Sequence, residues 1–343
     1  AGAAYIYHYN NGFWNLHAAL QASDPYPSAW FGGDVSIDGN TAVVGAPRRD
    51  RPDSENNYNY FEAGAAYVFE LENGTWVEKA RFQPDDIFDS YNFGTSVSIS
   101  SNVILVGAPF YSPTVNGSPL YGAGATYVYQ RMASTWQNSQ TITATDAEEA
   151  SYFGYAVSIH NNVAIVGAHG TSTDVGGLNQ MEGAGAAYIL LNNNGTWFEQ
   201  SKIVALDRDV EDFFGIDVSI SNNKALVGAY LEDEDATGQN PITFAGSAYF
   251  FEGPAYVDIN ENIDSPNQIK VYPNPANEMV TLEFGNAFTG TFQLLDVHGR
   301  VLNKESIDFQ QANGKTVLNI AHLPSGIYFV KLYNNQEIII QRF

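Results

Sequence analysis

Cysteine is absent from this chain of 343 residues, and basic residues are scarce. Without cysteine there can be neither a disulfide framework nor a thiolate metal site. Lysine and arginine number 15 against 38 aspartates and glutamates, so the formal net charge is −23. Such a surface repels nucleic-acid phosphates and anionic lipid headgroups, which makes both poor partners. No apolar run is long enough to span a membrane as a helix.

The negative charge belongs entirely to the first 268 residues. Residues 269–343 hold six basic and six acidic residues and are neutral, which leaves nine basic and 32 acidic residues before them. A surface of this kind suits cations, basic partners or simple solubility, and the sequence leaves all three open.

Four tryptophans recur at intervals of 60 to 62 residues, and the same set of neighbouring residues recurs around each of them. A glycine in a small-residue segment precedes each tryptophan, a Phe-Gly pair follows it, and a Gly-Ala pair comes fourteen residues after that phenylalanine. The members are Trp14, Trp76, Trp136 and Trp197; Phe31-Gly32, Phe93-Gly94, Phe153-Gly154 and Phe214-Gly215; and Gly45-Ala46, Gly107-Ala108, Gly167-Ala168 and Gly228-Ala229. A period near sixty with four strand-like runs predicts an all-β fold built from the blades of a β-propeller.

The details of one period support this prediction. Asn-Gly pairs such as Asn73-Gly74 predict tight hairpin turns between the third and fourth strands, because both residues tolerate positive φ. We expect the recurring glycines to let blade backbones approach closely, and the recurring phenylalanines and tryptophans to fill the wedge between blades.

The strand count is odd, because the repeats of residues 1–252 begin and end at a third strand. Seventeen strands are predicted where a closed ring of four blades needs sixteen. We therefore expect an incomplete N-terminus, further upstream blades in a larger ring, and an open edge here. The alternative is a closed four-blade ring with one spare strand.

A second region follows the repeats. Residues 253–268 lose the pattern and are rich in Pro, Asn and Asp, which is typical of a linker. Residues 269–343 contain several short alternating segments and predict a small β-sandwich.

The repeats resemble the FG-GAP repeats of integrin α-subunit propellers and of many bacterial surface proteins. Phe31-Gly32 with Gly45-Ala46-Pro47 carries the likeness, although His169 and Tyr230 replace the proline in two copies. Calcium-binding members of that family have an Asp-rich loop between the first two strands. Here that stretch is a short, mostly uncharged turn such as Ser98–Asn102, so no cofactor is predicted from the resemblance.

Residues 269–343 resemble a type IX secretion sorting domain of the Bacteroidetes. The resemblance implies export across both membranes, contact with the type IX secretion machinery, and release or attachment at the outer-membrane surface. An ordinary terminal β-sandwich is the alternative. The matching positions include Tyr272, Pro273, Asn274, Pro275, Gly299, Gly326, Tyr328 and Lys331.

Candidate binding residues lie in the long loops, which alternation places at one end of the blades. These loops hold 21 of the 32 acidic residues and four basic ones. One aspartate recurs seven residues before each Phe-Gly pair, and further carboxylates surround it. It either shapes its loop by accepting hydrogen bonds or binds a cation, for which Asp86 and Asp207 would be the calcium sites. The candidates are Asp24, Asp86, Asp89, Asp146, Glu149, Asp207, Asp209 and Asp212.

No catalytic motif is present: the sequence lacks a nucleophile elbow, a P-loop and a zinc-protease motif. We therefore predict that the chain is not an enzyme. It would be a secreted or surface-displayed binding or adhesion protein whose acidic face engages an extracellular protein or glycan. The alternatives are an enzyme, or its accessory propeller, acting on extracellular polysaccharide, and a structural component of the cell surface.

Overall fold

A computed structural model gives the three-dimensional structure of the chain. It describes residues 2–53, 58–84, 86, 89–115, 117–177, 180–205, 207–222, 224–233, 242–252, 269–272, 279–284, 288–296, 301–309, 314–321, 323, 328–333 and 338–342. The chain divides into two compact units, Ala1–Phe251 and Glu252–Phe343. The predicted linker lies outside the described residues.

The first unit consists of antiparallel sheets that succeed one another along the chain. An N-terminal hairpin, β1 (Ala4–Asn10) and β2 (Phe13–Leu20), precedes four blades. The first blade contains β3 (Val35–Asp38), β4 (Thr41–Ala46), β7 (Ala65–Glu72) and β8 (Thr75–Phe82). The second contains β9 (Val97–Ser100), β10 (Val103–Ala108), β13 (Ala125–Met132) and β14 (Thr135–Ile142). The third contains β15 (Ala156–His160), β16 (Val163–Ala168), β17 (Ala186–Asn193) and β18 (Thr196–Ile203), and the fourth β19 (Asp217–Ser221), β20 (Lys224–Ala229) and β21 (Ser247–Glu252).

This arrangement confirms the propeller-like fold and the strand order predicted from the repeats. Two further short hairpins extend the loops between second and third strands: β5 (Arg51–Asp53) with β6 (Tyr58–Tyr60), and β11 (Thr114–Val115) with β12 (Ser118–Pro119). Both residues of the Asn73-Gly74 turn have positive φ, 50° and 82°, which confirms the predicted tight hairpin turn and is typical of type I′.

Neighbouring blades touch backbone to backbone at their inner strands. A Cβ added to Gly107 would lie 1.9 Å from the carbonyl oxygen of Gly154 in the next blade. Gly45 and Gly167 are crowded in the same way, by Gly94 and Gly215. The recurring Gly-Ala glycine is therefore required by close approach, as predicted.

A serine ladder joins the first strands of successive blades. The amide N–H of Ile99 donates to Oγ of Ser36, that of Ile159 to Ser98, and that of Ile220 to Ser158, each at 3.1 Å. The Val-Ser-Ile pattern in each first strand signals these bonds, which the sequence analysis missed.

The second blade buries one face against the first blade and the other against the third, and the first blade packs in turn against the N-terminal hairpin. The four Phe-Gly phenylalanines are buried at 5% exposure or less, as predicted. The tryptophans differ. Trp197 is buried, Trp76 and Trp136 are half-buried, and Trp14 is 70% exposed, because no sheet of the described chain covers that side of the N-terminal hairpin.

Apolar positions at both ends of the series are exposed although their counterparts inside it are buried. Ile37 is 55% exposed where Ile99 is 6%, and Leu226 is 47% exposed where Leu105 is fully buried. Within the described residues, β1 and β2 pair with no strand of the fourth blade. The outer faces of the end sheets are thus open, as the strand count predicted for this chain.

The second unit is a small β-sandwich. One sheet contains β22 (Ile269–Tyr272), β23 (Met279–Phe284) and β26 (Lys315–Asn319). The other contains β24 (Phe288–Asp296), β25 (Val301–Phe309), β27 (Tyr328–Tyr333) and β28 (Ile338–Arg342). Both sheets contribute to one core, in which Leu282 and Leu318 of the first meet Phe292 and Val330 of the second.

The glycine contacts give a test of blade packing. Gly107→Ala should lower the free energy of unfolding by about 1–3 kcal/mol or more, because the new methyl group overlaps the Gly154 carbonyl. Gly228→Ala is the matched control. Gly228 holds the same position in the fourth blade, but the nearest atom to its added Cβ is a side-chain carbon 3.7 Å away. Thermal unfolding of the full chain should separate the two, and equal losses would contradict this account of the packing.

Candidate functional site

The long loops form a continuous surface at one end of the blades, here called the long-loop face. It consists of the loops from fourth to first strands and from second to third strands. Backbone hydrogen bonds join a loop of one blade to a loop of the next: the amide of Ser90 donates to Phe61, and that of Ala150 to Tyr121, both at 2.8 Å. Parallel bridges such as Gly124 to Phe153 add to this contact. The scaffold therefore holds both sets of loops together.

The recurring aspartate binds the recurring tyrosine of the third strand. The hydroxyl of Tyr67 donates to Asp24 at 2.9 Å, that of Tyr188 to Asp146 at 2.9 Å, and that of Tyr249 to Asp207 at 2.8 Å. These tyrosines are buried or half-buried beside the Phe-Gly phenylalanines. The aspartate thus ties its loop to the core of the blade in three repeats.

Basic side chains complete two of these networks. Asp24 accepts hydrogen bonds from Arg49 and Arg81, and the pKa of its carboxyl is lowered because hydrogen bonds from Arg49 and Tyr67, with the two positive charges, outweigh desolvation. Asp146 pairs with Lys202, whose side chain is only 6% exposed, at 2.6 Å. Arg81 and Lys202 hold the same position, opposite the tyrosine on the fourth strand.

The second repeat departs from this pattern. The fourth-strand position opposite Tyr127 is Thr141, which carries no charge. Asp86 is exposed; burial and then the nearby Asp86 charge raise the pKa of Tyr127, but the buried Tyr127 hydroxyl has no hydrogen bond of normal geometry among the described residues. Asp89 instead binds the small hairpin of its neighbouring loop, accepting from the Tyr58 hydroxyl and the Phe61 amide. Asp85 lies outside the described residues.

The remaining candidates divide between the third and fourth repeats. Glu149 is exposed, whereas its neighbour Glu148 accepts from the amides of Ser172 and Thr173. Asp209 is exposed, but Asp212 is only 3% exposed and accepts from the Asp209 amide.

The fourth repeat gathers carboxylates around one tyrosine. The Tyr249 hydroxyl lies 2.8 Å from both Asp207 and Glu232, and Glu232 is 1% exposed. Burial, together with the charges of Glu232 and Asp209, raises the pKa of Asp212 to about 7 against the pull of the Asp209 amide. Asp212 is thus a carboxyl of this group that gains a proton near neutral pH.

Metal ligation requires several oxygen ligands directed at one point. Across the described ranges, no three His, Asp or Glu side chains are placed to hold a metal ion. Calcium at Asp86 or Asp207 stays a prediction.

The sequence analysis missed a second repeating feature of this face. The residue directly before each Phe-Gly pair has positive φ, and in three repeats it is a large aromatic residue: Trp30, Tyr152 and Phe213, at 56°, 57° and 56°. Such residues rarely adopt this conformation. The aromatic-Phe-Gly triplet was visible in the sequence, but the sign of φ was not.

The comparisons with known proteins agree with this geometry. A family model described as the FG-GAP repeat matches residues 14–69, 76–129, 136–190 and 197–251, which is more than half of the chain. The chain is an FG-GAP repeat protein. Each match begins at the recurring tryptophan of a fourth strand and ends in the third strand of the following sheet. No curated protein matches the chain.

The C-terminal unit of this FG-GAP protein has a family match of its own. Residues 270–343 match the secretion system C-terminal sorting domain, which marks proteins exported by type IX secretion to the cell surface or the extracellular space. Interaction with that secretion machinery follows. Among the described residues no helix could cross a bilayer.

The predicted sorting residues are only partly described. Tyr328 lies in the core of the sandwich, and Tyr272 and Lys331 lie in β22 and β27. Pro273, Asn274, Pro275, Gly299 and Gly326 lie outside the described residues.

A pair of variants separates the structural aspartates from the exposed ones. Asp146→Asn should lower the free energy of unfolding by about 2–4 kcal/mol, because it leaves the buried Lys202 charge without its carboxylate. Asp86→Asn, at the same position one repeat earlier, should cost less than about 1 kcal/mol. Chemical denaturation at pH 7 measures both. A larger loss for Asp86→Asn would contradict the assignment.

The buried Asp212 gives a pH-dependent prediction. Its pKa of about 7 exceeds the ordinary aspartate value of 3.8, so between these two pH values the folded state holds a proton that the unfolded state releases. The stabilisation is complete below the unfolded value and disappears as pH rises through 7. Asp212→Asn should therefore gain stability relative to the native chain between pH 5 and pH 8, on the order of 2–4 kcal/mol.

Melting temperatures at pH 5, 6, 7 and 8 provide the measurement. Glu211→Gln, a neutralising change at an exposed neighbour, serves as the control. Parallel pH curves for the native chain and Asp212→Asn would show that the carboxyl is already ionised in the fold.

Proposed function

We propose that this FG-GAP protein is a binding protein, not an enzyme, and that after export its long-loop face engages an extracellular protein or glycan. Loops held on a rigid scaffold are where binding residues concentrate. The observation that carries the proposal is the hydrogen bonding of both loop sets, blade to blade, into one surface. Charge supports it as well, since this surface has 21 acidic residues and four basic ones.

The internal networks narrow the set of residues that could meet a partner. Asp24, Asp146 and Asp207 are engaged with tyrosines of their own blades. Glu149 and Asp209 are exposed, and so is Asp86, which, unlike the equally exposed Asp146, makes no hydrogen bond of normal length to the tyrosine of its blade among the described residues. We therefore assign the partner contact to the exposed carboxylates, while the engaged ones shape the surface.

The enzyme alternative has one observation in its favour. A carboxyl that stays protonated near pH 7, such as Asp212, resembles the general acid of a glycoside hydrolase. Asp212 is buried at 3% exposure, however, and glycoside hydrolysis needs both carboxyl groups at the sugar. We therefore favour the binding function over a glycoside hydrolase activity.

Binding arrays and variants of the full chain test the proposal. The chain should bind at least one member of an extracellular protein or glycan array without turning it over. A triple change, Asp86→Asn with Glu149→Gln and Asp209→Asn, should weaken that binding about tenfold or more while leaving the melting temperature nearly unchanged.

The matched control neutralises three exposed acids outside the long loops: Asp38→Asn, Glu72→Gln and Asp217→Asn. Equal weakening by both triples would indicate a nonspecific charge effect. Turnover of a polysaccharide, abolished by Asp212→Asn, would replace this proposal with the enzyme reading.

A further inference from the structure

A strip of aromatic rings crosses the long-loop face from the second blade to the fourth. Its successive centroids are 5.2 Å apart from Phe110 to Tyr152, 5.1 Å from Tyr152 to His169, 5.6 Å from His169 to Phe213 and 5.7 Å from Phe213 to Tyr230. Phe110 and Tyr230, at its two ends, are 39% and 53% exposed. We call these five residues the aromatic strip.

Two departures from the Gly-Ala-Pro motif create this strip. His169 and Tyr230 stand where the first two repeats have Pro47 and Pro109. Tyr152 and Phe213 are the positive-φ residues of the third and fourth repeats, and they stack on the replacing rings at interplanar angles of 22° and 16°. The replacements therefore join rings that would otherwise be separate.

Glycines seat the strip on the backbone. A Cβ at Gly122 would lie 3.1 Å from the ring of Tyr152, and one at Gly183 would lie 2.9 Å from that of Phe213. The first repeat has Glu62 at this position, and the residue whose amide bonds to it is Asn92 instead of an aromatic residue. Glycine therefore occurs where the ring of Tyr152 or Phe213 lies against the backbone, and not where Asn92 takes that place.

The same site in the first blade is already occupied from within. The Arg48 guanidinium lies 3.6 Å from the Trp30 ring centroid, and Arg48 also pairs with Glu62. The third and fourth repeats have no arginine at the position of Arg48, since residues 170 and 231 are glycine and leucine, although Tyr155 packs edge-on against His169 at 4.3 Å. The exposed parts of Phe110 and Tyr230 are thus available to a ligand.

The chemistry of the strip indicates the ligand. Burial lowers the pKa of His169 to about 4, so at neutral pH its imidazole is an uncharged flat ring. Glu149 and Asp209, in the same loops, are exposed carboxylates that repel anions and accept hydrogen bonds from hydroxyl groups. The rings follow one another in series and do not form the box that encloses a lone quaternary ammonium ion.

We propose that the aromatic strip binds an uncharged polysaccharide, whose sugar rings pack on the exposed parts of Phe110 and Tyr230 at its two ends and follow the half-buried rings between them. The apolar C–H faces of sugars pack on aromatic rings, while their hydroxyls reach the flanking carboxylates. The inference rests on the proposed function, because it names the ligand class of the same face.

The test measures binding of the full chain to soluble neutral polysaccharides (glucan, mannan and xylan), to an anionic polyuronate and to a lysine-rich peptide. At least one neutral polymer should bind, and the polyuronate should not. Phe110→Ala and Tyr230→Ala should each weaken that binding about fivefold or more, and the double variant further. Tyr121→Ala is the matched control, because Tyr121 is a 63% exposed tyrosine of the same face outside the strip.

Melting temperatures establish that each variant is folded. Neutral-polymer binding that survives the double variant, an equal loss in Tyr121→Ala, or strip-dependent binding of the basic peptide alone would overturn the inference. If a partner from the arrays is lost in the triple carboxylate variant but not in the strip variants, the proposed function holds and this inference fails. If no polymer and no array member binds, both fail.

Discussion

The close approach of blade backbones at the inner strands is the constraint on which the first unit depends. Gly107 of a second strand leaves no room for a side chain beside the Gly154 carbonyl, and the serine ladder joins the first strands of successive blades from Ser36 to Ile220. Together they hold successive blades at one height. Because every blade then presents its long loops at the same end, loops distant in sequence can form one surface.

Because the strands hold the blades together, the sequences of the long loops can vary while the sequences of the strands repeat. The inner strands and the Phe-Tyr contacts provide the packing, so a loop needs only to satisfy its own backbone and to anchor at the repeated tyrosine. Where the fourth strand supplies a cation, as at Arg81 or Lys202, the loop aspartate is an internal anchor. Where it supplies Thr141, Asp86 lacks this cation partner.

Sequence periodicity was sufficient for the strands, the hairpin turns and the buried Phe-Gly phenylalanines, because each depends on local pattern or on small side chains at fixed spacing. It could not foresee Trp14, whose exposure depends on what lies beside the N-terminal hairpin. The bond between Asp146 and Tyr188 joins residues 42 apart, and period alone does not reveal which side chains meet. The positive φ of Tyr152 could not be predicted from the sequence either, because its amide donates to the carbonyl of Gly122, thirty residues earlier.

The repeats differ in whether a basic side chain lies beside the loop carboxylates and the aromatic rings of the long-loop face. The first repeat neutralises Asp24 with two arginines and covers Trp30 with a third. The third repeat pairs Asp146 with Lys202, and the fourth, within its described part, sets Asp207 and Glu232 on one hydroxyl and raises the pKa of Asp212 to about 7. Neither repeat has an arginine at the position of Arg48. The few basic residues of this face therefore serve as its internal partners, and the proposed ligand site lies where no counterpart of Arg48 covers the rings.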